Sequence, residues 1–237
     1  MEPPPAAAPA VAVVVVSGAI GVGKSTVLAR LEAMGYACFP ELFVRSHAGL
    51  LRRFYRAPDA HALHLQLVVL LDCAQRLLAA HDLADAAAAR GYKKGFVFVE
   101  RSPRDGDLFA RLGLAPDELA TYRRVVAAVT AGRARPDMRV HLSCSLEAML
   151  HRVRDRARPA EQHIDPDYLG RVRAEHEREY TLATASSPDC LCYSVATDGT
   201  GPAEATAAVL AACLLSTGAA AGHCGADPPR TPQKPTR

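Results

Sequence analysis

Residues Gly18-Ala19-Ile20-Gly21-Val22-Gly23-Lys24-Ser25-Thr26 have the spacing G-x-x-x-x-G-K-[ST] and lie between a β-branched run and a helical stretch. Glycines at these positions let successive N–H groups turn inward on an anion, and the start of the following helix adds partial positive charge. Lys24 would neutralise the outer phosphates, and Ser25 would offer a hydroxyl to Mg²⁺. The motif predicts a nucleoside triphosphate site. Further along, the run GFVFVE ends in Glu100 and is followed by Arg101-Ser102. An acid that reaches Mg²⁺, beside a cation that reaches the reacting phosphoryl, suits a small-molecule kinase. The chain has no guanine-reading N-K-x-D, and its 237 residues are too few for the extra modules of a motor ATPase. A basic cluster, Arg152, Arg154, Arg156 and Arg158, falls in a stretch with helical spacing over 146–158. On a helix Arg152 and Arg156 share a face, with Arg154 nearly opposite, so the four cannot all face one phosphate.

These groups need a scaffold, and the chain alternates two signals. Short, nearly continuous apolar runs at 10–18, 95–100, 139–144 and 190–196 predict buried parallel strands, with 34–41 a weaker fifth. Ala/Leu/Arg-rich stretches at 24–34, 60–90, 116–133, 146–158, 166–182 and 202–215 predict helices. The expectation is an α/β, doubly wound P-loop fold: a five-stranded parallel sheet flanked by helices, with an arginine-rich helical segment over about 150–165 that the resemblance given below makes a lid. Such sheets bind ligands at the carboxyl ends of their strands, where Glu41, Glu100 and the glycine-rich loop all fall. Residues 1–10 and 216–237 are Pro/Ala- and Pro/Gly-rich and are expected to be a disordered leader and tail around one domain over 11–215.

Composition narrows the classes. Lys plus Arg number 28 and Asp plus Glu 25, and a balance of +3 gives no bulk electrostatic reason to bind nucleic acid. The seven cysteines have no zinc-ligand spacing and are expected to be reduced structural thiols. No apolar run reaches the roughly 18 residues of a membrane helix, so no membrane partner is expected. The expectation is a cytoplasmic enzyme, with nuclear or mitochondrial placement left open.

The order and spacing of three features, the phosphate loop, Pro40-Glu41 and Glu100-Arg101-Ser102, resemble those of the deoxynucleoside kinase family. So does the segment LHRVRDRARPAEQHIDPDYLGRVRAEHE at 150–177, which is similar to that family's lid. The resemblance covers roughly 13–195. It implies an ATP- and Mg²⁺-dependent enzyme that phosphorylates the 5′-hydroxyl of a deoxynucleoside and is commonly a homodimer through helices like the 60–90 stretch, whose apolar run 63–71 fits either that interface or a buried core helix. It makes Glu41 the general base, Arg101 the group that holds base and 5′-oxygen, and Glu100 with Ser25 the metal ligands. Arg152, Arg156 and Arg158 would clamp the phosphoryl group, with Arg154 outward. Gln66 would make paired hydrogen bonds to the base, Tyr55 and Glu161 would meet the 3′-hydroxyl, and Asp198 would lie by the adenine of ATP.

Departures from the family pattern bear on the substrate. Leu65 stands in place of a stacking phenylalanine, Ser46 in place of a pocket tryptophan and Ala160 in place of a lid glutamate. The places of a charged pair near the base fall at about Cys73 and Gly106. An uncharged, roomier pocket resembles that of pyrimidine-preferring members, thymidine first. The alternative is a nucleoside monophosphate kinase of thymidylate kinase type, in which Arg45, Arg52 and Arg53 would receive the acceptor phosphate. Glu41 facing that phosphate would repel it.

Overall fold

The computed structural model describes residues 11–41, 43–91, 95–131, 135–159, 161, 164–186 and 190–216. The expected leader, the expected tail from 217 onward, Ala160 and the side chain of Arg45 lie outside the described residues. A five-stranded parallel sheet forms from β1 (Ala12–Ser17), β2 (Ala37–Phe39), β3 (Phe96–Glu100), β4 (Met138–Ser143) and β5 (Leu191–Ala196), in the order β2-β3-β1-β4-β5. Helices α1 (Lys24–Ala33), α2 (Phe43–Ser46), α3 (Ala48–Arg56), α4 (Pro58–Ala89) and α5 (Pro103–Gly113) alternate with the first strands. They are followed by α6 (Pro116–Val129), α7 (Leu146–Asp155), α8 (Pro166–Ser186) and α9 (Pro202–Ser216).

The valine run of β1 explains its central place. Side chains alternate across a strand, so Val14 and Val16 pack with Phe96, Phe98, Val140 and α1 on one face. Val13 and Val15 pack with Val97, Val99 and the Leu77–Ala80–Ala84 stripe of α4 on the other. Every residue of β1 is buried, and a run of β-branched valines suits a strand covered on both faces. The register aligns Val16 with Glu100, so the phosphate loop leaves the sheet beside the strand end that carries the acid.

Four expectations change. The run at 190–196 does not form a buried strand: β5 pairs with β4 alone, lies at the sheet edge and leaves Leu191 about half exposed. Three helices had no sequence signal. The basic AGLLRRFYR turns out to be α3, and α5 begins at Pro103 despite a glycine at 106. Its start is fixed reciprocally: the Asp105 N–H donates to the Ser102 carbonyl at 3.0 Å, and the Asp105 carboxylate accepts the Ser102 N–H at 2.6 Å. Gly106 is needed there because a Cβ would lie 2.4 Å from the Tyr122 hydroxyl of α6. The arginine-bearing helix stops at Asp155, with Arg156 as its cap and Ala157 left-handed at φ 44°, so Arg158 stands beyond it. Finally, α4 is long and apolar enough by length and composition to span a bilayer, contrary to the sequence reading. Half of its most apolar stretch is buried, against the sheet, α3 and α5.

Candidate active site

The carboxyl ends of β1, β2 and β3 open onto a cleft of about 610 Å³, the size of a small-molecule site. Its floor is the phosphate loop. Gly18 bends at φ 133°, and a Cβ there would lie 2.3 Å from the Leu142 carbonyl of β4, so only glycine lets the loop fold against the sheet. Ala19 and Val22 are buried under the turn, while Ile20, Gly21, Gly23, Lys24, Ser25 and Thr26 line the cleft. Lys24 Nζ donates to the carbonyls of Gly18 and Ala19, each at 2.8 Å. Burial holds its pKa below the ordinary lysine value, although Glu100 pulls the other way.

Two acids and one arginine converge beside the loop. Ser25 Oγ donates to Glu100 Oε1 at 2.8 Å, and the Glu41 N–H donates to Glu100 Oε2 at 3.0 Å. Arg101 Nη1 donates to Glu41 Oε1 at 2.8 Å. Desolvation pushes Glu41 up, but Arg101, Lys24 and Arg76 outweigh it and hold the carboxyl below its usual range. Glu41 is therefore ionised at neutral pH. Arg101 takes a left-handed backbone, φ 62°, uncommon for a residue with a side chain. Its N–H donates to the Val16 carbonyl at 3.1 Å, and its guanidinium lies 4.7 Å from the centre of the Phe109 ring. Ser25 and Glu100 give an all-oxygen donor set beside a phosphate loop, which fits Mg²⁺, an ion that fills its remaining positions with water and phosphate oxygens. No cluster of three or more His, Cys, Asp or Glu that could hold a metal occurs among the described residues.

The arginines divide. Arg152 lines the cleft, but its donors reach the carbonyls of Val22 at 3.2 Å and Thr197 at 2.6 Å and the Thr197 hydroxyl at 3.0 Å. In the structure these bonds brace the loop against the segment after β5, from a side chain that also lines the cleft. Arg156 and Arg158 face the cleft and both pair with Glu161, the second at 3.5 Å. Arg154 is exposed and lies outside the cleft lining. Asp198 is also outside that lining. Its carboxylate accepts the Ser145 N–H at 2.8 Å and the Ser145 hydroxyl at 2.8 Å, at the start of α7, because an anion is favoured at a helix N-terminus.

The other end of the cleft is less polar. Gln66 is buried and lines it with Leu65, Val69 and Phe109. Tyr55 and Glu161 also line it, near enough to Tyr168 that burial, then Tyr168 and Glu161, raise the Tyr55 phenol above its ordinary pKa. Cys73 and Gly106 do not line it, so neither supplies polarity to the cleft. Residues missed in the sequence are Phe109, Tyr168, Asp105 and Arg76. Arg76 carried a signal in its Asp72-x-x-x-Arg76 pair within an apolar helix, and Tyr168 lies in the quoted lid segment, though neither was given a role.

Fold and site together are those of a P-loop phosphotransferase acting on a small acceptor. The deoxynucleoside kinase family model matches residues 14–198, and the chain belongs to that family. It is accordingly a kinase that phosphorylates a deoxynucleoside. A deoxyguanosine kinase from Bacillus subtilis (strain 168) is 23% identical over 183 residues, 77% of this chain and 84% of that protein. Structures of a deoxyadenosine kinase from M. mycoides share the fold. The one with products dCMP and a flexible dCDP has a TM-score of 0.69 at 17% identity, covering 86% of this chain and 99% of that one. The one with dATP has a TM-score of 0.66 at 16% identity, covering 84% and 97%.

Proposed function

We propose that the protein transfers the γ-phosphoryl group of ATP to the 5′-hydroxyl of a pyrimidine deoxynucleoside, thymidine favoured, with Glu41 as general base. The observation that carries the reading is the Glu41–Arg101 contact of 2.8 Å, made where the phosphate loop opens into the apolar half of the cleft. An ionised carboxylate accepts the hydroxyl proton as the oxygen attacks phosphorus and the bond to ADP breaks, which contributes about 10²- to 10⁴-fold. Arg101 keeps that carboxylate turned toward the acceptor. Lys24 and the loop N–H groups hold the phosphates, and Arg156 and Arg158 exchange Glu161 for the charge that spreads over the transferring group. Mg²⁺, held by Ser25 and Glu100, would supply further neutralisation of the phosphates.

On the nucleoside side, Gln66 offers a donor and an acceptor to a base edge, and Phe109 offers a ring face. Tyr55 and Glu161 meet the 3′-hydroxyl, and Tyr168, which lines the same end of the cleft near Tyr55, would narrow the space left for a 2′-hydroxyl. The uncharged lining around Leu65, Gln66 and Val69 supports a pyrimidine. A second reading, a purine deoxynucleoside, is favoured by the Bacillus subtilis relative, a deoxyguanosine kinase. We further propose a homodimer through α4, whose Leu71 and Leu78 are exposed on one face. Leu71→Glu would then convert the dimer to monomer in sedimentation.

The deciding experiment is kcat/KM for the four deoxynucleosides, their ribose counterparts and dTMP. Thymidine should lead, with ribose forms far behind and dTMP inert. Turnover of dTMP without any free nucleoside would overturn the reading.

A further inference from the structure

Arg76 stands on α4 with its side chain only 11% exposed, beside Cys73 and Leu77 on the face of the helix that turns toward the protein interior. Nothing about the reaction requires an arginine there, yet its three nitrogens are all engaged. Nε and Nη2 both lie 2.9 Å from Asp72 Oδ2, one helical turn earlier, which fixes the plane of the guanidinium. Nη2 also donates to Cys73 Sγ at 3.3 Å. With that plane fixed, Nη1 points at the strand ends, donating to the Glu100 carbonyl and, at 3.5 Å, toward the Phe39 carbonyl.

Those two carbonyls close β3 and β2. The Glu100 carbonyl has run out of ladder partners, because the Glu41 N–H that would continue the ladder goes to the Glu100 carboxylate, and Arg76 supplies the missing donor. The Phe39 carbonyl, which the Phe39–Val99 register already pairs with the Glu100 N–H, takes Arg76 as a longer second contact. Phe39 is two residues before Glu41, and Glu100 is one residue before Arg101. One guanidinium thus ties together the main chain on both sides of the acid–arginine pair. Its charge also acts on the Glu41 carboxylate.

We propose that Arg76 is a positioning residue for phosphoryl transfer: by clamping the carbonyl ends of β2 and β3 it sets the separation between Glu41 and Arg101. The inference rests on the assignment of Glu41 as the base. A misplacement of about 1 Å at a reacting group costs up to about 100-fold in rate, so a clamp of this kind is read in turnover before it is read in binding. Lysine cannot substitute for it, because a single point charge cannot grip Asp72 in a fixed plane and reach two carbonyls as well.

The test uses the enzyme with Arg76→Met, Arg76→Lys and the milder Asp72→Asn, which keeps an acceptor oxygen but removes the charge that holds the guanidinium in its plane. Arg76→Met should lower kcat about 10- to 100-fold, with the KM for ATP within about threefold of the parent. Arg76→Lys should recover little of that loss, and Asp72→Asn should lose about threefold to tenfold. In a Glu41→Gln background Arg76→Met should cost no more than about a further threefold, since it acts through the same group. Unchanged kcat in all three variants, or losses that multiply fully in the Glu41→Gln background, would overturn the proposal. A readout independent of any substrate is the structure of Arg76→Met. There a Glu41 Oε1–Arg101 Nη1 contact kept within about 3 Å overturns the clamp, and a parted pair supports it, even if the acceptor proves to be something other than a deoxynucleoside.

Discussion

Arg101 and Glu41, 60 residues apart in sequence, meet at 2.8 Å with side chains 12% and 14% exposed, so the pair is nearly sealed from water. Arg101, with Lys24 and Arg76 behind it, keeps that carboxylate charged despite its burial, and the role of general base proposed for it needs that charge. Glu41→Gln preserves size and the contact with Arg101 but cannot take a proton. It should lower kcat by about 10²- to 10⁴-fold while ATP affinity, measured by calorimetry, stays unchanged.

Phe109 supports Arg101 from beneath and also faces the cleft. Phe109→Leu removes both the ring face and the cation–π contact. The expected result is a fall in deoxynucleoside kcat/KM of about tenfold, with a smaller change in the KM for ATP. Steady-state kinetics with each substrate varied in turn checks it.

Glu100 binds the Ser25 hydroxyl and the Glu41 N–H at once. Ser25→Ala and Glu100→Gln should each raise the Mg²⁺ concentration needed for half-maximal activity by about tenfold or more, and chelation should abolish turnover of the parent enzyme reversibly. A magnesium titration at saturating ATP makes the measurement.

A separate prediction concerns acid stability. His141, in β4, is stacked on Tyr180 at 5.1 Å, and burial pushes its pKa down to about 4 from the ordinary 6.5. Between those values the unfolded chain holds a proton that the folded chain refuses, so stability rises with pH across that window. The contribution is complete above about pH 6.5 and is lost toward pH 4, at most roughly 3 kcal/mol for this group. His176, 6.1 Å away and likewise held well below its ordinary value, acts in the same direction. The unfolding midpoint should be flat from about pH 8 to 7 and fall below 6.5, and His141→Phe should shallow that fall. A midpoint independent of pH down to 4.5 would refute the assignment.

What was legible in the chain followed from local rules. The phosphate loop is a contiguous motif, and the valine run of β1 admits no other place than the sheet centre. Glu100-Arg101-Ser102 was visible because it ends a strand. What stayed hidden depends on contacts between distant segments. That Arg152 would spend its donors on Val22 and Thr197 is set by where β5 ends, not by anything near position 152. Cys190 to Ala196 looks like an interior strand, and only the strand order makes it an edge. Arg76 needed both strand ends in space before its purpose could be read.

The arginines beyond β4 have a mechanical consequence. Arg152 is stitched to the floor of the cleft, while Arg156 and Arg158 are tethered to Glu161 across the left-handed Ala157. A strap fastened at its root leaves its tip as the part that could travel, so any closure over a bound triphosphate would be confined to the residues after Asp155. The first of the three guanidinium groups is bound to the floor, and the other two are the pair that such a closure would carry.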